Sequence, residues 1–401
     1  MNTDVIVVGG GISGLTFAFE SARDGRETLV LEQAPTAGGC LATHRAGSGF
    51  WYELGAHTCY NSYVGLATVI EACGLRGDLL ERAKSKLRFV EGDDLLPGAN
   101  LGALLRLFSW GELLRSLPRV FTEKKDGQTV YSYYSRLVGR TNYGAVLGPM
   151  LSAVPSQSAD AFPAGMLFKS RATRRKDLPR SFTVKGGLAS IADAIARQPR
   201  ITVATGRAAA RIDAAGDRFV VTTGDGERHE ARIVALATPP GAASALLRGV
   251  APELAAQVAR VKEAAVESLG LAVRADRVAV PPSTFLIPRD DLFHSVVTRD
   301  PVPDASWRGF AFHFRPGVGR DDKLRRAAAL LHVKPADLED VAERRTVPPS
   351  PVLGHVGVVA VVDRLSAGRR LCVTGNWFAG LSIEDCVDRS RAEWARVAAL
   401  G

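Results

Sequence analysis

The stretch Val5-Ile6-Val7-Val8-Gly9-Gly10-Gly11-Ile12-Ser13-Gly14 constrains this chain more than any other. An unbroken β-branched run is the pattern of a parallel strand covered on both faces, and here it leads directly into a complete G-x-G-x-x-G turn. Three glycines let the backbone turn tightly, approach a diphosphate, and pack the next helix against the strand, with Gly9, Gly11 and Gly14 at the required positions. The spacing predicts a helix over 15–23. Its unpaired N–H groups, around Ile12 and Ser13, and the positive end of its dipole favour an anion. A second strand is predicted over 27–31, and Glu32 follows it directly. An acid about twenty positions past the glycines is where a carboxylate accepts both hydroxyls of an adenosine ribose, with Gln33 beside it.

Bulk properties narrow the class. A length of 401 residues with 46% hydrophobic content suits two domains, or one large domain carrying a second as an insertion. Cys40, Cys59, Cys73, Cys372 and Cys386 are odd in number, spread out and free of any C-x-x-C pair, which argues against a disulfide framework or a zinc site. No metal site is expected. The cysteine usage implies a reducing compartment, so a cytoplasmic location is expected. The net charge of +9 comes from scattered basic residues balanced by 42 acids. Without a basic arm or a groove motif with interleaved aromatics, it implies a positive surface for anionic ligands and no nucleic-acid partner. The apolar stretch at 4–8 is too short for a signal peptide, and no run of about twenty apolar residues is present.

Further motifs follow Glu32. Ala37-Gly38-Gly39-Cys40-Leu41 makes a second glycine turn, and Phe50-Trp51-Tyr52-Glu53-Leu54-Gly55-Ala56-His57 is a third conspicuous stretch. At the far end, Leu371-Cys372-Val373-Thr374-Gly375-Asn376 reads as a strand and turn before a helix that starts near Ser382. Ser382 is a good N-cap, and Glu384 and Asp385 suit a first helical turn. With these motifs the chain resembles the FAD-dependent amine oxidase superfamily. The resemblance implies an α/β fold: a Rossmann-like FAD-binding domain with an inserted α+β substrate domain. It also implies FAD as cofactor, held by Gly9, Gly11, Ile12, Ser13, Gly14, Glu32, Gln33, Gly38, Gly39, Cys40, Gly55, Ala56, His57, Ala209, Gly375, Asn376, Ser382 and Ile383.

The expected division gives residues 1–84, 176–264 and 361–401 to the FAD-binding domain. Residues 85–175, mainly helical, and 265–360, mainly sheet, form the substrate domain. Within the cofactor segments, 200–234 reads as strands ending in Ala237-Thr238-Pro239-Pro240, and Ala209 stands where the family usually places a valine. The apolar stretch 103–120, carrying Arg106, Arg115 and Arg119, reads as domain core, as a wall of an apolar tunnel, or as an interfacial membrane helix. Peripheral membrane contact and oligomeric state stay open.

Amine oxidases of this superfamily place a lysine near the flavin and an aromatic cage beyond it. The matching positions here are Leu271 and Leu381, with Phe378 as a nearby aromatic, and all three are expected to face substrate. These departures make the chain more similar to protoporphyrinogen-oxidase-like and carotenoid-desaturase-like members, which dehydrogenate large apolar or macrocyclic small molecules. Such a substrate needs a wide apolar pocket and cations for its carboxylates, and the basic run Lys169 to Arg180 is one candidate source. His57 is the expected catalytic residue, because an imidazole beside the ring moves a proton near neutral pH. Three alternatives stay open: amine oxidation, a redox-neutral isomerisation resembling UDP-galactopyranose mutase through Gly55-Ala56-His57-Thr58, and a non-catalytic flavin carrier.

Overall fold

A computed structural model describes residues 3–96, 107–167, 169–378 and 380–400. The opening motif forms the strand Val5–Val8, the helix Ile12–Arg23 and the strand Thr28–Leu31. The helix begins earlier than its apolar pattern predicts, because Gly11 takes the extended N-cap conformation and Ile12 already lies in the first turn.

Five parallel strands build the first sheet, in the order Ile201–Ala204, Thr28–Leu31, Val5–Val8, Ile233–Leu236 and Leu371–Val373. Both ends of the chain therefore enter one sheet. Four of its strands are buried on both faces, as near-continuous apolar runs require, while the edge strand Ile201–Ala204 leaves Thr202 exposed. Val5, Val7 and Val30 point to one core with Phe17, Ile191 and Trp394. Ile6, Val8, Leu29 and Leu31 point to the other with Val234, Leu236 and Leu254. The closing helix Ile383–Ala398 lies along the opening helix, where Trp394 meets Phe17 edge-on at 5.5 Å and donates its ring N–H to Asp24 at 2.7 Å.

A seven-stranded sheet stands beside this unit, in the order Glu339–Thr346, Val266–Arg274, Trp307–Phe314, Phe293–Thr298, Ser283–Pro288, Lys86–Glu91 and Asp94–Leu95. The strand Lys86–Glu91 thus opens the expected helical stretch, and the helices Trp110–Ser116, Val130–Val138 and Gly148–Ala153 come after it. Part of the apolar stretch 103–120, namely 103–106 with Arg106, lies outside the described residues.

The two faces of this sheet differ in kind. Leu269, Leu271 and Val273 join Phe310, Phe312 and Phe314 over Ala327, Leu330 and Leu331 of the helix Arg320–Leu331. Each fully buried phenylalanine there is worth roughly 1.5–3 kcal/mol. By the two-residue period, Ser268, Gly270, Ala272, Gly309, Ala311 and His313 take the opposite face. Phe50 and Tyr52, flanking Trp51 in the strand Trp51–Glu53, pack directly onto it.

A Cβ at Gly270 would stand 2.2 Å from Tyr52 Cε2 and 2.5 Å from Leu54 Cδ2. Gly270→Ala should therefore cost about 1–3 kcal/mol in chemical denaturation. Gly47→Ala, where nothing lies within 4 Å, should change stability by less than about 0.5 kcal/mol.

Candidate functional site

Glycine-to-glycine contact forms the centre of the site. Gly9 has φ +103° and a Cβ there would stand 2.6 Å from the Ala237 carbonyl oxygen, while one at Gly14 would stand 1.9 Å from the Gly9 oxygen. A Cβ at Gly39, φ +57°, would stand 2.7 Å from Gly11 Cα, and the Gly38 N–H donates to the Gly10 carbonyl at 2.8 Å. The two glycine turns are thereby stacked. The first helical bond runs from Leu15 N–H to the Gly11 carbonyl, so the N–H groups of Ile12, Ser13 and Gly14 precede it and suit an anion.

Glu32 closes one side of this nest. Its Oε2 accepts from Gly10 N–H and its Oε1 from Ala34 N–H, each at 2.7 Å. Each oxygen retains a second lone pair for an incoming hydroxyl, so the carboxylate both braces the turn and keeps acceptor capacity. Gln33 is exposed beside it. Gly206 and Arg207 donate their N–H groups to the carbonyls of Ala34 and Glu32, which lays the segment leading to the partly buried Ala209 alongside.

The second glycine turn connects to the third motif. Cys40 carbonyl accepts from Ala56 N–H at 2.8 Å, and a Cβ on Gly55 would stand 2.2 Å from that carbonyl oxygen. Arg344, paired across the sheet with Ser268, donates to the Gly39 carbonyl at 2.6 Å and so ties the seven-stranded sheet to the turn. At the closing helix, Ser382 Oγ accepts from Asp385 N–H at 3.1 Å in a capping box, and Arg171 bonds both side chains. The N–H groups of Ile383 and Glu384 come before the first helical bond and point out of the helix end. Glu384 itself accepts from the N–H groups of Gly65 and Leu66, capping the helix Val64–Ala72. Asn376 is partly buried in the loop after Gly375 that leads to this helix end.

His57 lies on the segment between these halves. Its Nε2 stands 3.2 Å from His313 Nε2, and His313 Nδ1 stands 2.9 Å from Ser268 Oγ. Burial, then the neighbouring His313 and Arg82, hold the His57 imidazole well below the usual histidine range. Burial and His294 bring His313 down to about 4. Both rings are neutral at pH 7, so one Nε2 carries the proton that the other accepts. A void of about 10 Å³, room for one water, lies between His57, Glu53, Arg82 and Arg299. Arg82 and Arg299 each carry a buried guanidinium nitrogen without a partner among the described residues. Burial raises Glu53 to about 7 although Leu188 N–H and Thr43 Oγ1 both donate to it at 2.7 Å.

Three expectations for substrate-facing residues are corrected or refined. Leu271 is fully buried in the core on one face of its strand, and its neighbours Gly270 and Ala272 are covered on the other face by Phe50, Tyr52 and Leu54. The two-residue strand period moves any register error of one residue to the opposite face. Phe378 is also core: it is 3% exposed, stacked on Trp377 at 3.8 Å and covered by the Arg389 guanidinium at 3.7 Å. Leu381 is partly buried against the cluster of Val130, Tyr143, Leu151, Ala159 and Phe162. Half of the basic run is engaged in ion pairs, Lys169 and Arg171 with Asp385 and Arg175 with Glu71 and Asp177. Arg82 and Arg299 instead share the small void with His57, and neither belongs to a motif that points to the site. His313 and Ser268 were equally silent, although both alternate with small residues along their strands.

These groups set the acid response of the fold. His313 binds its proton more weakly when folded than its ordinary value of 6.5, so its contribution to stability is lost as pH falls from there towards about 4. Glu53 acts oppositely, its contribution fading as pH rises from 4.5 through about 7. His313→Gln should shrink the stability lost between pH 7.5 and pH 5 by roughly 2 kcal/mol, read from urea midpoints at the two pH values.

The family described as flavin containing amine oxidoreductase matches residues 12–275. A solved structure of a putative protoporphyrinogen oxidase from Exiguobacterium sp. 255-15 superposes with a TM-score of 0.80 at 19% identity, covering 100% of both chains. Reduced UDP-galactopyranose mutase superposes with a TM-score of 0.77 at 16% identity, covering 100% of this chain and 96% of the other. Both likenesses concern the fold. The 15-cis-phytoene desaturase of Narcissus pseudonarcissus is 28% identical over 157 residues, 33% of this chain, and the match spans 28% of that relative's length.

Proposed function

Because the chain belongs to the flavin-containing amine oxidoreductase family and is an FAD-dependent oxidoreductase, we propose that it dehydrogenates an apolar or macrocyclic small molecule, in the manner of a protoporphyrinogen oxidase or a desaturase. The observation that carries this reading is the lining of the void beside His57. Where the family's amine oxidases place a lysine, this strand turns Leu271 into the core, and the void is bordered by Val297, Gly309 and Ala311 with no lysine among its lining residues. Small apolar residues can border a greasy substrate, and none of them can hold a water or polarise an amine.

The residues present fit FAD. Gly9, Gly11, Gly14, Gly38 and Gly39 with the helix end at Ile12 and Ser13 would hold the diphosphate, and Glu32 the ribose. The helix end at Ser382 and Ile383, with Gly55, Ala56 and Asn376, would hold the remainder. Bound FAD supplies a two-electron acceptor. His57, neutral and hydrogen-bonded to His313, serves as a base rather than an acid at pH 7. When His313 donates from Nδ1 to Ser268 Oγ, its Nε2 accepts from His57 Nε2–H, which leaves the His57 Nδ1 lone pair to take up a proton; the pair holds the ring orientation. Arg82 and Arg299 supply positive charge at the same place for a substrate carboxylate.

Anaerobic mixing of the FAD-loaded protein with porphyrinogens, polyenes and amines tests the proposal. Loss of the oxidised-flavin absorbance with a porphyrinogen or a polyene is the expected result. Bleaching by amines alone, or turnover that demands prior reduction and consumes no acceptor, would contradict it. His57→Gln should slow this reduction about 10²–10⁴-fold and remove its acid limb in the pH profile. Glu32→Ala should weaken FAD retention by about tenfold to a hundredfold, measured by fluorescence titration, because one charge-assisted acceptor is lost.

A further inference from the structure

The helix Trp110–Ser116 continues as a tighter turn over Leu117–Phe121, and together they are amphipathic in the inverted sense. Trp110, Leu114, Leu117 and Phe121 fall at intervals of four, three and four residues, which places them on one helical face. They are 50%, 65%, 51% and 86% exposed, and Val120 beside them is 51% exposed. Single exposed apolar residues are ordinary, but a continuous stripe is not.

The polar side of the same helix points inward and fixes that orientation. Glu112 accepts from the N–H and hydroxyl of Thr141, at 2.9 and 3.2 Å. The fully buried Asn142 exchanges hydrogen bonds with Ser109 N–H and carbonyl at 2.6 and 3.0 Å. Rolling the apolar stripe under would break all four bonds and bury charge.

The stripe is bordered by positive charge. Arg115, Arg119 and Lys124 are exposed and form no ion pair among the described residues. Of the acids nearby in sequence, Glu112 is engaged as above and Glu123 bonds Gln128 and Arg136, which leaves Asp126. We propose that this face docks onto an anionic lipid surface, with Phe121, Leu117 and Leu114 entering the apolar layer and Trp110 at its polar boundary. A second copy of this chain is a poorer occupant, because a symmetric contact would bring Arg115 and Arg119 against their own copies. A lipid surface satisfies the stripe and the cations together. The inference stands on this surface alone and does not depend on the substrate reading.

The test is co-sedimentation of the FAD-loaded full chain with phosphatidylglycerol vesicles and with phosphatidylcholine vesicles. The parent should sediment with the anionic vesicles, and added salt should weaken the binding. A triple variant Leu114→Ser, Leu117→Ser, Phe121→Ser should bind about tenfold or more weakly, and Arg115→Glu with Arg119→Glu should lose the preference for anionic lipid. Both variants should keep the parent's FAD content and melting temperature, since the changed side chains face solvent. Trp110 emission should shift to the blue on anionic vesicles in the parent and not in Trp110→Phe. Unchanged sedimentation of the triple variant would overturn the proposal. So would a parent that ignores vesicles but forms a concentration-dependent dimer that the triple variant abolishes, since the stripe would then belong to a second copy.

Discussion

The stacking of two glycine turns, residues 9–14 on residues 38–39, is the contact on which the rest of the structure depends. Side chains there would meet backbone atoms at 1.9–2.7 Å, distances that no rotamer change relieves at Gly9, Gly14 or Gly39. Peptide N–H groups left free by that stacking line the helix end, and Glu32 anchors Gly10 and Ala34 so that the turn holds its shape before any ligand arrives. A carboxylate bound by two amides is thus part of the scaffold and still keeps acceptor capacity.

From this point the remaining elements follow by contact. Cys40 and Gly39 pass the alignment to the segment Gly55–His57 and to Arg344. Arg344 and Ser268 share a rung of the seven-stranded sheet, and Ser268 reaches His313, which reaches His57. The imidazole at the site is therefore positioned from both sides, by the glycine turns through the backbone and by the sheet through a side-chain chain. Burial keeps both rings neutral at pH 7, so the pair carries no positive charge there.

Much of the fold was legible because its signals are local. The strand, glycine turn, helix and acid at residues 5–32 each impose a backbone conformation, and Ser382 with Asp385 spells out a helix start. What the sequence concealed was direction. Leu271 and Gly270 differ by one residue in a strand, and only the packing of Tyr52 on the glycine reveals which of them shares the face that carries Ser268 and His313. Phe378 looked available beside the site motif, yet Trp377 and Arg389 occupy both its surroundings and its rings. Arg82, Arg299 and His313 converge from separate strands and loops, and no spacing rule links residues so far apart along the chain. The inverted helix at 110–121 was visible as an apolar pattern, but its outward orientation is set by Glu112 and Asn142 through partners that a periodicity does not show.

The most direct test of the central claim is titration of flavin-free protein with FAD, followed by quenching of flavin fluorescence, in parallel for the parent and Gly11→Glu. A Cβ at Gly11 meets only Gly39 Cα, at 3.6 Å, so the fold accommodates a side chain there while the added carboxylate opposes a diphosphate. The account predicts one FAD bound per parent chain and binding abolished or greatly weakened in the variant with its melting temperature kept. A parent that binds no FAD, or a variant that binds it equally well, would contradict it.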